Sequence, residues 1–264
     1  MFDPARPLAG QHAVVTGGGT GIGAASALAL ARLGAHLTLM GRREEVLTGQ
    51  AQAIREAVVG SAVTAQPVDV AEASKVATAF AEAQRAQPIT ILVNNAGAAE
   101  SAPFEKTGLD LLERMLAINL KAAFLCTQAV LPAMLGAKYG RIINIASTAG
   151  LTGYAYVTAY VAAKHALVGL TRALALETAK RGVTVNAVCP GFTDTDLVAR
   201  SVETIVAKTG RSADAARAEL AKTNPMGRLV TPDEVASAVA YLALPSASAI
   251  TGQAIVIAGG EVMA

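Results

Sequence analysis

Short apolar segments alternate with longer amphipathic segments along most of this chain of 264 residues. Apolar runs of four to eight residues that end at glycine or polar residues are typical of buried strands, whereas apolar positions spaced three and four apart indicate helices. Regular alternation of the two predicts a parallel sheet with helices on both faces, joined by right-handed crossovers. We therefore expect a single doubly wound α/β domain over residues 1–264.

Each predicted strand is a short run of mainly apolar residues. Strands of a parallel sheet are buried on both faces, so their sequences are continuously apolar and do not alternate. Valine, isoleucine and leucine dominate these runs, which fits that arrangement. The predicted strands cover residues 12–16, 36–40, part of 63–70, 89–94, 141–146, 183–189 and 250–258.

The predicted helices occupy the intervals between the strands. Residues 231–234, Thr-Pro-Asp-Glu, form a strong helix start, because threonine caps the first turn, proline suits its first position and acids favour its dipole. Residues 196–223 are less regular and predict two helices broken near Gly210. The other predicted helices cover an alanine-rich stretch ending at Leu33, then 46–59, 71–87, 109–135 and the region around 160–164.

The first predicted strand leads into a glycine-rich turn and then into a helix. The turn reads TGGGTGIG over residues 16–23. Glycines let the backbone turn sharply and approach a pyrophosphate, while the helix N-terminus supplies N–H donors and positive dipole. Glycine turns alone are common, but this strand–turn–helix context predicts dinucleotide binding on a Rossmann-type sheet. The candidate contacts are Gly17, Thr20, Gly21, Ile22 and Gly23.

The end of the second predicted strand bears on the choice of dinucleotide. A carboxylate there would bind the adenosine ribose hydroxyls and favour NAD, but Gly41 takes that place. Arg42 and Arg43 follow, and guanidinium groups suit a 2′-phosphate. We therefore expect NADP(H) to be preferred, with NAD(H) possible. The alternative is that both arginines are the solvated start of the next helix.

Polar residues follow several of the predicted strands. Thr16, Asp69 and Asn95 each fall at a carboxyl end, where ligands bind in sheets of this kind. Each residue by itself fits a cap or a turn. Together they indicate one ligand-binding edge of the sheet.

The candidate chemistry centres on Tyr160 and Lys164. These residues are four apart and share one face of a helix. A nearby ammonium favours the phenolate and lowers the pKa of a tyrosine from its usual value near 10. A tyrosine adjusted in this way exchanges protons near neutral pH. The same pair also fits an ordinary solvated helix surface.

Two further polar residues accompany this pair. Ser147 follows the fifth predicted strand directly, and Gly150 and Gly153 make the next loop tight or mobile. Asn119 lies within an apolar helical stretch, where its amide needs a partner. That partner is either the backbone or a bound water.

Taken in order, these features resemble the short-chain dehydrogenase/reductase family over nearly the full length. Ser147 precedes Tyr160 by 13 residues, a usual family spacing. NAD-binding members have an acid where this chain has Gly41. One NADP-binding subset has a basic residue in the glycine turn where this chain has Thr20. Arg42 fits another NADP-binding subset. The matching segments are 16–23, Asp69, NNAG at 94–97, Asn119, Ser147, Tyr160 with Lys164, and Pro190-Gly191 with Thr195 beyond.

The resemblance implies a role for each matching residue. Tyr160 would exchange a proton with the substrate oxygen, and Lys164 would lower the pKa of Tyr160 and hold the nicotinamide ribose. Ser147 would hydrogen-bond the substrate oxygen as charge develops on it. Asn119 would hold a water that connects Lys164 to solvent. The implied cofactor contacts are Asp69 and Val70 at the adenine, Asn95, Ala96 and Gly97 at the adenosine ribose, and Pro190, Gly191, Thr193 and Thr195 along the nicotinamide and phosphates.

Composition and charge exclude several other classes of function. The net charge is +2 with no basic tract, so nucleic acid is not an expected partner. Cys126 and Cys189 lack metal-ligand spacing and fit free thiols in a reducing cytoplasm. Residues 1–10 do not read as a signal peptide, and residues 142–163 are too interrupted by glycine and polar residues to span a membrane. The hydrophobic share of 53% fits an oligomer, and the resemblance implies a homotetramer.

These observations predict an oxidoreductase that interconverts a ketone and a secondary alcohol. The best hypothesis is a reductase of 3-oxoacyl thioesters on coenzyme A or a carrier protein, or a hydroxyacyl-CoA dehydrogenase. The C-terminal region resembles 3-oxoacyl thioester reductases, polyketide ketoreductases and hydroxyacyl-CoA dehydrogenases. The resemblance implies that the 196–223 insert covers the substrate. Its mild basic excess would suit binding of the phosphates of coenzyme A or an acidic carrier protein, or it is simply a solvated helix face. The alternatives are an NAD-dependent dehydrogenase of a free cyclic, aryl or diol alcohol and, more distantly, a non-catalytic nucleotide-binding sensor.

Overall fold

A computed structural model describes residues 5–263 of the chain, so residues 1–4 of the N-terminal segment 1–10 lie outside it. Within that range the strands form a single parallel sheet in the order β3-β2-β1-β4-β5-β6-β7. The strands are β1 His12–Thr16, β2 His36–Gly41, β3 Val63–Pro67, β4 Ile91–Asn94, β5 Gly140–Ile145, β6 Val183–Pro190 and β7 Ala254–Ile257. The Rossmann-type doubly wound fold is confirmed.

Helices cover both faces of this sheet. The helices are α1 Gly21–Arg32, α2 Glu44–Ala57, α3 Ala73–Ala86, α4 Leu109–Leu116, α5 Ala122–Ala137, α6 Thr158–Thr178, α7 Asp196–Thr209, α8 Ala213–Ala221 and α9 Pro232–Ala243.

The sheet separates two main hydrophobic cores. Ala13 and Val15 of β1 face one side and pack with α1, α2 and α9. Val14, between them, faces the other side and packs with α3 and α5. Successive side chains of a strand point to opposite faces, so a strand buried on both faces must be continuously apolar. This is why β1 reads as an unbroken apolar run.

The strand order places a topological switch between β1 and β4. The chain builds β1, β2 and β3 in one direction across the sheet and then β4 to β7 in the other. The connections that follow β1 and β4 therefore diverge and leave a crevice at the carboxyl edge. In open α/β sheets this crevice is where ligands bind.

The helix predicted over 109–135 differs in its middle. The helical region runs from α4 into α5 through a π-helical turn at Ala117–Lys121, which contains Asn119. A π turn adds one residue to the helical repeat, and such turns are frequent at functional sites. The apolar pattern of the region does not distinguish an α turn from a π turn, so the sequence did not predict it.

This helical region is unusually long and apolar. Leu109–Ala137 is long and apolar enough to cross a bilayer on length and composition. Helices in the cores of soluble proteins share this length and composition, and here Cys126, Val130 and Met134 of α5 are buried against the sheet. The apolar residues on this face of α5 are therefore accounted for by core packing.

The predicted break in the insert is present. Gly210 follows α7 with φ 69°, in the left-handed region that glycine enters without steric cost. Ser212 then caps α8, because its hydroxyl accepts a hydrogen bond from the Ala215 N–H. Val198, Val202, Ala216 and Leu229 form a small separate core beneath these helices. The insert thus has its own packing, at the same edge of the sheet as the crevice.

The strand predicted over 250–258 is shorter than expected. Gly252 has φ 73°, which interrupts the extended backbone before Ala254.

The predicted start of α9 is confirmed in detail. Thr231 and Glu234 form a reciprocal capping box, and Pro232 occupies the first helical position.

Candidate active site

Four strands deliver the candidate residues to one edge. Thr16 ends β1, Asn95 follows β4, Ser147 lies just after β5 and Pro190 ends β6. Asp69 lies two residues beyond β3, which ends at Pro67. Parallel strands bring their carboxyl ends to the same edge, so residues far apart in the chain become neighbours.

The glycine turn forms a cradle that side chains would fill. Gly17 and Gly21 have φ of 63° and 53°, which glycine adopts without strain. A Cβ at Gly23 would lie 2.2 Å from the Gly17 carbonyl oxygen, and a Cβ at Gly17 would lie 2.8 Å from Asn95 Nδ2. Glycine is therefore required at both positions, by the backbone beside Gly23 and by the Asn95 amide beside Gly17. This tight cradle fits the close approach of a pyrophosphate.

The N-terminus of α1 opens onto this cradle. Its N-cap residue, Thr20, makes no side-chain capping hydrogen bond. The side chain of Thr195, from the loop after β6, lies against Gly21, where a Cβ would be 3.0 Å from Thr195 Cγ2. A helix start without a side-chain cap leaves its first N–H groups available to an anion. The residues present thus fit a dinucleotide.

The amide of Asn95 braces the glycine turn from within the protein. Its Nδ2 donates to the carbonyl oxygens of Thr16 and Gly17 at 3.0 and 3.1 Å. Thr16 Oγ1 in return accepts from the backbone N–H groups of Asn95 and Ala96 at 3.0 and 3.1 Å. Sequence reasoning treated Asn95 as a cofactor contact and missed this internal role, because it joins residues nearly 80 positions apart.

The two arginines after β2 are exposed. Neither Arg42 nor Arg43 forms an ion pair or side-chain hydrogen bond with any residue in the described range 5–263. Arg42 and Arg43 are therefore available to a ligand at the end of β2.

Asp69 and Val70 follow β3. The side chain of Asp69 accepts the Ala71 N–H at 3.0 Å and so closes its own turn, while Val70 is buried in the core.

Tyr160 and Ser147 meet in the crevice. Tyr160 lies in the first turn of α6, and its phenol is near enough to the Ser147 side chain for Ser147 to favour the phenolate. Ser147 Oγ also accepts the Ala149 N–H at 3.1 Å, which fixes the direction of the serine side chain. Two hydroxyl groups thus converge on one point, where a substrate oxygen would receive hydrogen bonds from both.

Lys164 lies one turn further along the same helix and is buried. Its Nζ donates to the Ile145 carbonyl at 2.8 Å and lies 5.7 Å from the centroid of the Tyr160 ring. Burial lowers the pKa of Lys164 to about 8 from its ordinary value, while the nearby Cys189 raises it slightly. The ammonium therefore stands over the tyrosine ring, as the spacing predicted.

The pKa of Tyr160 is shifted upward, in the direction opposite to the one that the sequence predicted. Burial of the phenol raises this pKa, because the phenolate loses hydration. The neighbouring Ser147 side chain lowers the pKa and partly offsets the effect of burial. In this geometry Ser147, rather than Lys164, is the group that lowers the pKa of Tyr160.

Asn119 is buried and is held by the backbone. Its Nδ2 donates to the carbonyl oxygens of Ala98 and Met115 at 2.9 and 3.0 Å, and its Oδ1 accepts the Ala98 N–H at 3.3 Å. A Cβ at Gly97 would lie 2.8 Å from Asn119 Oδ1 and 3.7 Å from Lys164 Nζ. Asn119 therefore fixes the segment that separates it from Lys164, and the predicted water stays a prediction.

The loop after β6 carries the remaining candidate contacts. Pro190 is buried at the end of the strand, and Gly191 follows it. Thr193 Oγ1 donates to the Gly191 carbonyl at 3.0 Å, and Thr195 Oγ1 donates to the Thr193 carbonyl at 3.2 Å. These bonds shape the loop so that it passes between the glycine turn and the insert.

Two residues near the site were not among the sequence-based candidates. Cys189 lies next to Ser147 and Lys164, and burial raises the pKa of its thiol to about 11. Glu261, close to the C-terminus, reaches the hydroxyl of Tyr154. No local pattern marks either residue, since each is placed by contacts that are distant in the sequence. In the described part of the chain, no cluster of His, Cys, Asp and Glu could hold a metal.

Comparisons with known proteins give consistent results. The family model for short chain dehydrogenase matches residues 11–205. The chain is 41% identical to "Granaticin polyketide synthase putative ketoacyl reductase 1" of Streptomyces violaceoruber, over 97% of this chain and 93% of the relative. It is 40% identical to "D-beta-hydroxybutyrate dehydrogenase" of Cupriavidus necator, over 93% of this chain and 95% of the relative.

A solved structure agrees with the fold. A single-substitution variant of actinorhodin polyketide ketoreductase, crystallised with NADPH, superposes with a TM-score of 0.91. That structure is 37% identical and covers 97% of this chain and 98% of its own. The chain therefore belongs to the short-chain dehydrogenase family and is an oxidoreductase that interconverts ketones and secondary alcohols.

Proposed function

We propose that this enzyme reduces 3-oxoacyl thioesters with NADP(H), using Ser147, Tyr160 and Lys164 as its catalytic residues. The observation that carries the proposal is the position of the Ser147 side chain near the Tyr160 phenol, where it lowers the pKa of that phenol, with the Lys164 ammonium 5.7 Å from the ring centroid. The phenol of Tyr160, the hydroxyl of Ser147 and the ammonium of Lys164 lie together at the carboxyl edge of the sheet. Reduction of a carbonyl requires these groups at its oxygen.

In this mechanism Tyr160 gives its proton to the substrate oxygen during reduction and takes it back during oxidation. Ser147 donates a hydrogen bond to the same oxygen and holds it beside the phenol. Lys164 is proposed to hold the nicotinamide ribose and to connect Tyr160 to the path along which its proton is replaced, because the buried ammonium lies 5.7 Å from the centroid of the Tyr160 ring. When bound, the dinucleotide would supply or accept the hydride.

Asn119 has a positioning role in this proposal. Its amide bonds both backbone groups of Ala98, which keeps the segment after β4 in place beside Lys164. We also retain the proposal that a water near Asn119 links Lys164 to solvent, since the proton given up by Tyr160 must be replaced. The π turn supports a functional role because such turns disturb the regular helical hydrogen bonds.

The thioester substrate is supported mainly by the relatives that are named ketoacyl reductases. The basic excess of the insert gives less support than its sequence indicated. Arg217 pairs with Asp194, and Glu219 lies within ion-pair distance of both Arg211 and Lys222. Arg200 and Lys208 remain as exposed cations of the insert without an ion pair in the described range. They are the candidate contacts for phosphates of coenzyme A or a carrier protein.

The preference for NADP(H) rests on the exposed Arg42 and Arg43 and on the NADPH present in the similar ketoreductase. In this proposal the glycine turn holds the pyrophosphate, Asp69 and Val70 flank the adenine, and Asn95, Ala96 and Gly97 line the adenosine ribose. Pro190, Gly191, Thr193 and Thr195 face the nicotinamide and phosphates.

We further propose a homotetramer in the cytoplasm, with residues 1–264 forming one catalytic domain and the 196–223 insert covering the substrate. Exposed apolar side chains support association of subunits. Phe104 and Leu109 are 75% and 76% exposed on the segment that enters α4, and Phe124 is 46% exposed on α5. The buried free thiols of Cys126 and Cys189 fit a reducing compartment.

A substrate panel tests the proposed function. Acetoacetyl-CoA, a cyclic ketone and an aryl ketone would be offered with NADPH and with NADH while cofactor oxidation is followed. We expect turnover of the thioester with NADPH to exceed turnover of the free ketones. Turnover of free ketones alone, or with NADH alone, would assign the enzyme to the oxidation of free alcohols.

The cofactor assignment predicts the effect of Arg42→Asp. Loss of the guanidinium and introduction of a carboxylate repel the 2′-phosphate and favour the ribose hydroxyls of NAD. We expect the Kd for NADPH to rise at least about tenfold and the Kd for NADH to fall, as measured by fluorescence titration. Arg85→Asp, at an exposed arginine in the last turn of α3, is the control. An unchanged affinity for NADPH would show that the 2′-phosphate is bound elsewhere.

A further inference from the structure

The C-terminal segment places a carboxylate at the wall of the candidate substrate site. Glu261 lies four residues beyond β7, and its Oε1 accepts a hydrogen bond from the Tyr154 hydroxyl at 2.5 Å. The same hydroxyl is hydrogen-bonded to Thr148 Oγ1 at 2.8 Å. Because Tyr154 has one hydroxyl proton, it donates to Glu261 and accepts from Thr148. A chain of hydrogen bonds therefore runs from the residue next to Ser147 to the carboxylate.

The carboxylate of Glu261 is not neutralised by a cation. It forms no ion pair with any residue between 5 and 263. Its second oxygen, Oε2, is buried and has no hydrogen-bond partner there, and a Cβ at Gly191 would lie 2.7 Å from it. Its charge acts on Tyr154, because the hydrogen bond and the charge of Glu261 both raise the pKa of that phenol. An unpaired charge in a partly buried position projects a strong local field.

This charge lies close to the reacting position. Thr148 is bonded to Tyr154 and adjoins Ser147 in the chain, and Tyr154 is near enough to Tyr160 for the two phenols to interact electrostatically. The Tyr154 ring also packs edge-on against Phe192, with centroids 6.2 Å apart. Phe192 in turn packs on the core of the insert. Tyr154 therefore stands between the reacting hydroxyls and the insert proposed to cover the substrate, and Glu261 is bonded to it.

We propose that Glu261 is a specificity-determining residue that excludes substrates bearing a carboxylate near the reacting carbonyl. The inference rests on the proposed function and narrows its substrate class. A free 3-oxo acid would bring its carboxylate within a few atoms of the carbonyl held by Ser147 and Tyr160, into the field of Glu261. Lys164 does little to offset the repulsion between that carboxylate and Glu261, because its ammonium donates to the Ile145 carbonyl and stands over the Tyr160 ring. A thioester or an ester of the same acid carries no charge there and is accepted.

The test compares one acyl group in two charge states. Acetoacetate and its N-acetylcysteamine thioester would be reduced with saturating NADPH by the wild-type enzyme and by Glu261→Gln. Glutamine keeps the size and an oxygen acceptor for Tyr154 while removing the charge. We expect Glu261→Gln to raise kcat/KM for acetoacetate at least about tenfold, mainly through KM, and to leave the thioester within about twofold.

Two further variants separate charge from geometry. Tyr154→Phe removes the hydrogen bond to Glu261 but keeps the ring against Phe192, so the discrimination against acetoacetate should persist. Glu177→Gln makes the same change at an exposed glutamate of α6, about 25 Å along the helix from Tyr160, and should leave both substrates unaffected. Equal changes for both substrates in Glu261→Gln, or none, would overturn the inference. If wild-type enzyme reduces acetoacetate but not the thioester, both the inference and the thioester assignment are wrong.

Discussion

Replacing Tyr160 by phenylalanine is expected to lower kcat by about a thousandfold or more while leaving the affinity for NADPH nearly unchanged. The substitution removes the hydroxyl near Ser147 and keeps the ring beside Lys164. General acid–base groups contribute about 10²–10⁴ in rate. Steady-state turnover and fluorescence titration with NADPH measure the two effects separately.

Tyr241→Phe is a matched control for this change. Tyr241 lies on α9 and is 50% exposed, so loss of its hydroxyl should affect neither quantity. If Tyr160→Phe retained wild-type turnover, a group other than this phenol would transfer the proton. A fall in NADPH affinity that matched the fall in kcat would instead assign Tyr160 to cofactor binding.

Replacing Lys164 by methionine is expected to lower kcat by about 10²–10³ and, in the same protein, to raise the free energy of unfolding. The lowered pKa of Lys164 means that burial opposes its charged form by about 3 kcal/mol at pH 7. Methionine removes that cost but leaves the Ile145 carbonyl without its donor, which costs about 1 kcal/mol. We therefore expect a net stabilisation of about 2 kcal/mol in the cofactor-free protein, measured by urea unfolding.

The pH dependence of stability gives this prediction a definite sign. The pKa of Lys164 is about 8 in the folded protein, whereas an exposed lysine has a pKa of 10.5. Between these values the unfolded chain binds more protons, so wild-type stability gains from Lys164 as pH rises from 8 to 10. Burial raises the pKa values of Cys189 and Tyr160, and these groups act in the opposite direction. The difference between the wild-type and Lys164→Met curves isolates the lysine.

Lys180→Met, at an exposed lysine just beyond α6, serves as the control and should show neither effect. A difference curve that stayed flat between pH 8 and 10 would mean that Lys164 keeps an ordinary pKa in the folded protein. Full activity in Lys164→Met would remove the ammonium from the proposed mechanism.

The sequence predicted those features that depend on local pattern. The unbroken apolar character of β1, the glycine turn and the spacing of Tyr160 and Lys164 each reflect a constraint within a few residues. The parallel sheet then places the ends of β1, β4, β5 and β6 along one edge, so a shared site followed from topology alone. For this reason both the fold and the approximate position of the site could be predicted.

Features that depend on contacts between distant residues were not predicted. The amide of Asn95 braces the glycine turn, and the carboxylate of Glu261 reaches Tyr154 across more than 100 positions. The pKa of Tyr160 was misjudged for the same reason, since the spacing of Lys164 is local whereas burial is set by the whole fold. A sequence pattern shows which residues share an element, but the balance of burial and charge requires the packed structure.

The π turn at Ala117–Lys121 changes the rotational phase of the helical region in which it lies. One added residue rotates everything beyond it by about 100° relative to an uninterrupted α-helix. Before the turn, Leu111 and Met115 of α4 face Ala159 of α6 in a small core beside Tyr160. After the turn, α5 directs Cys126 and Val130 into the core beneath β4 and β5. Because of this extra residue, α4 packs against α6 while α5 packs against the sheet. Deleting the residue would rotate α4 away from the catalytic helix and leave the sheet core intact.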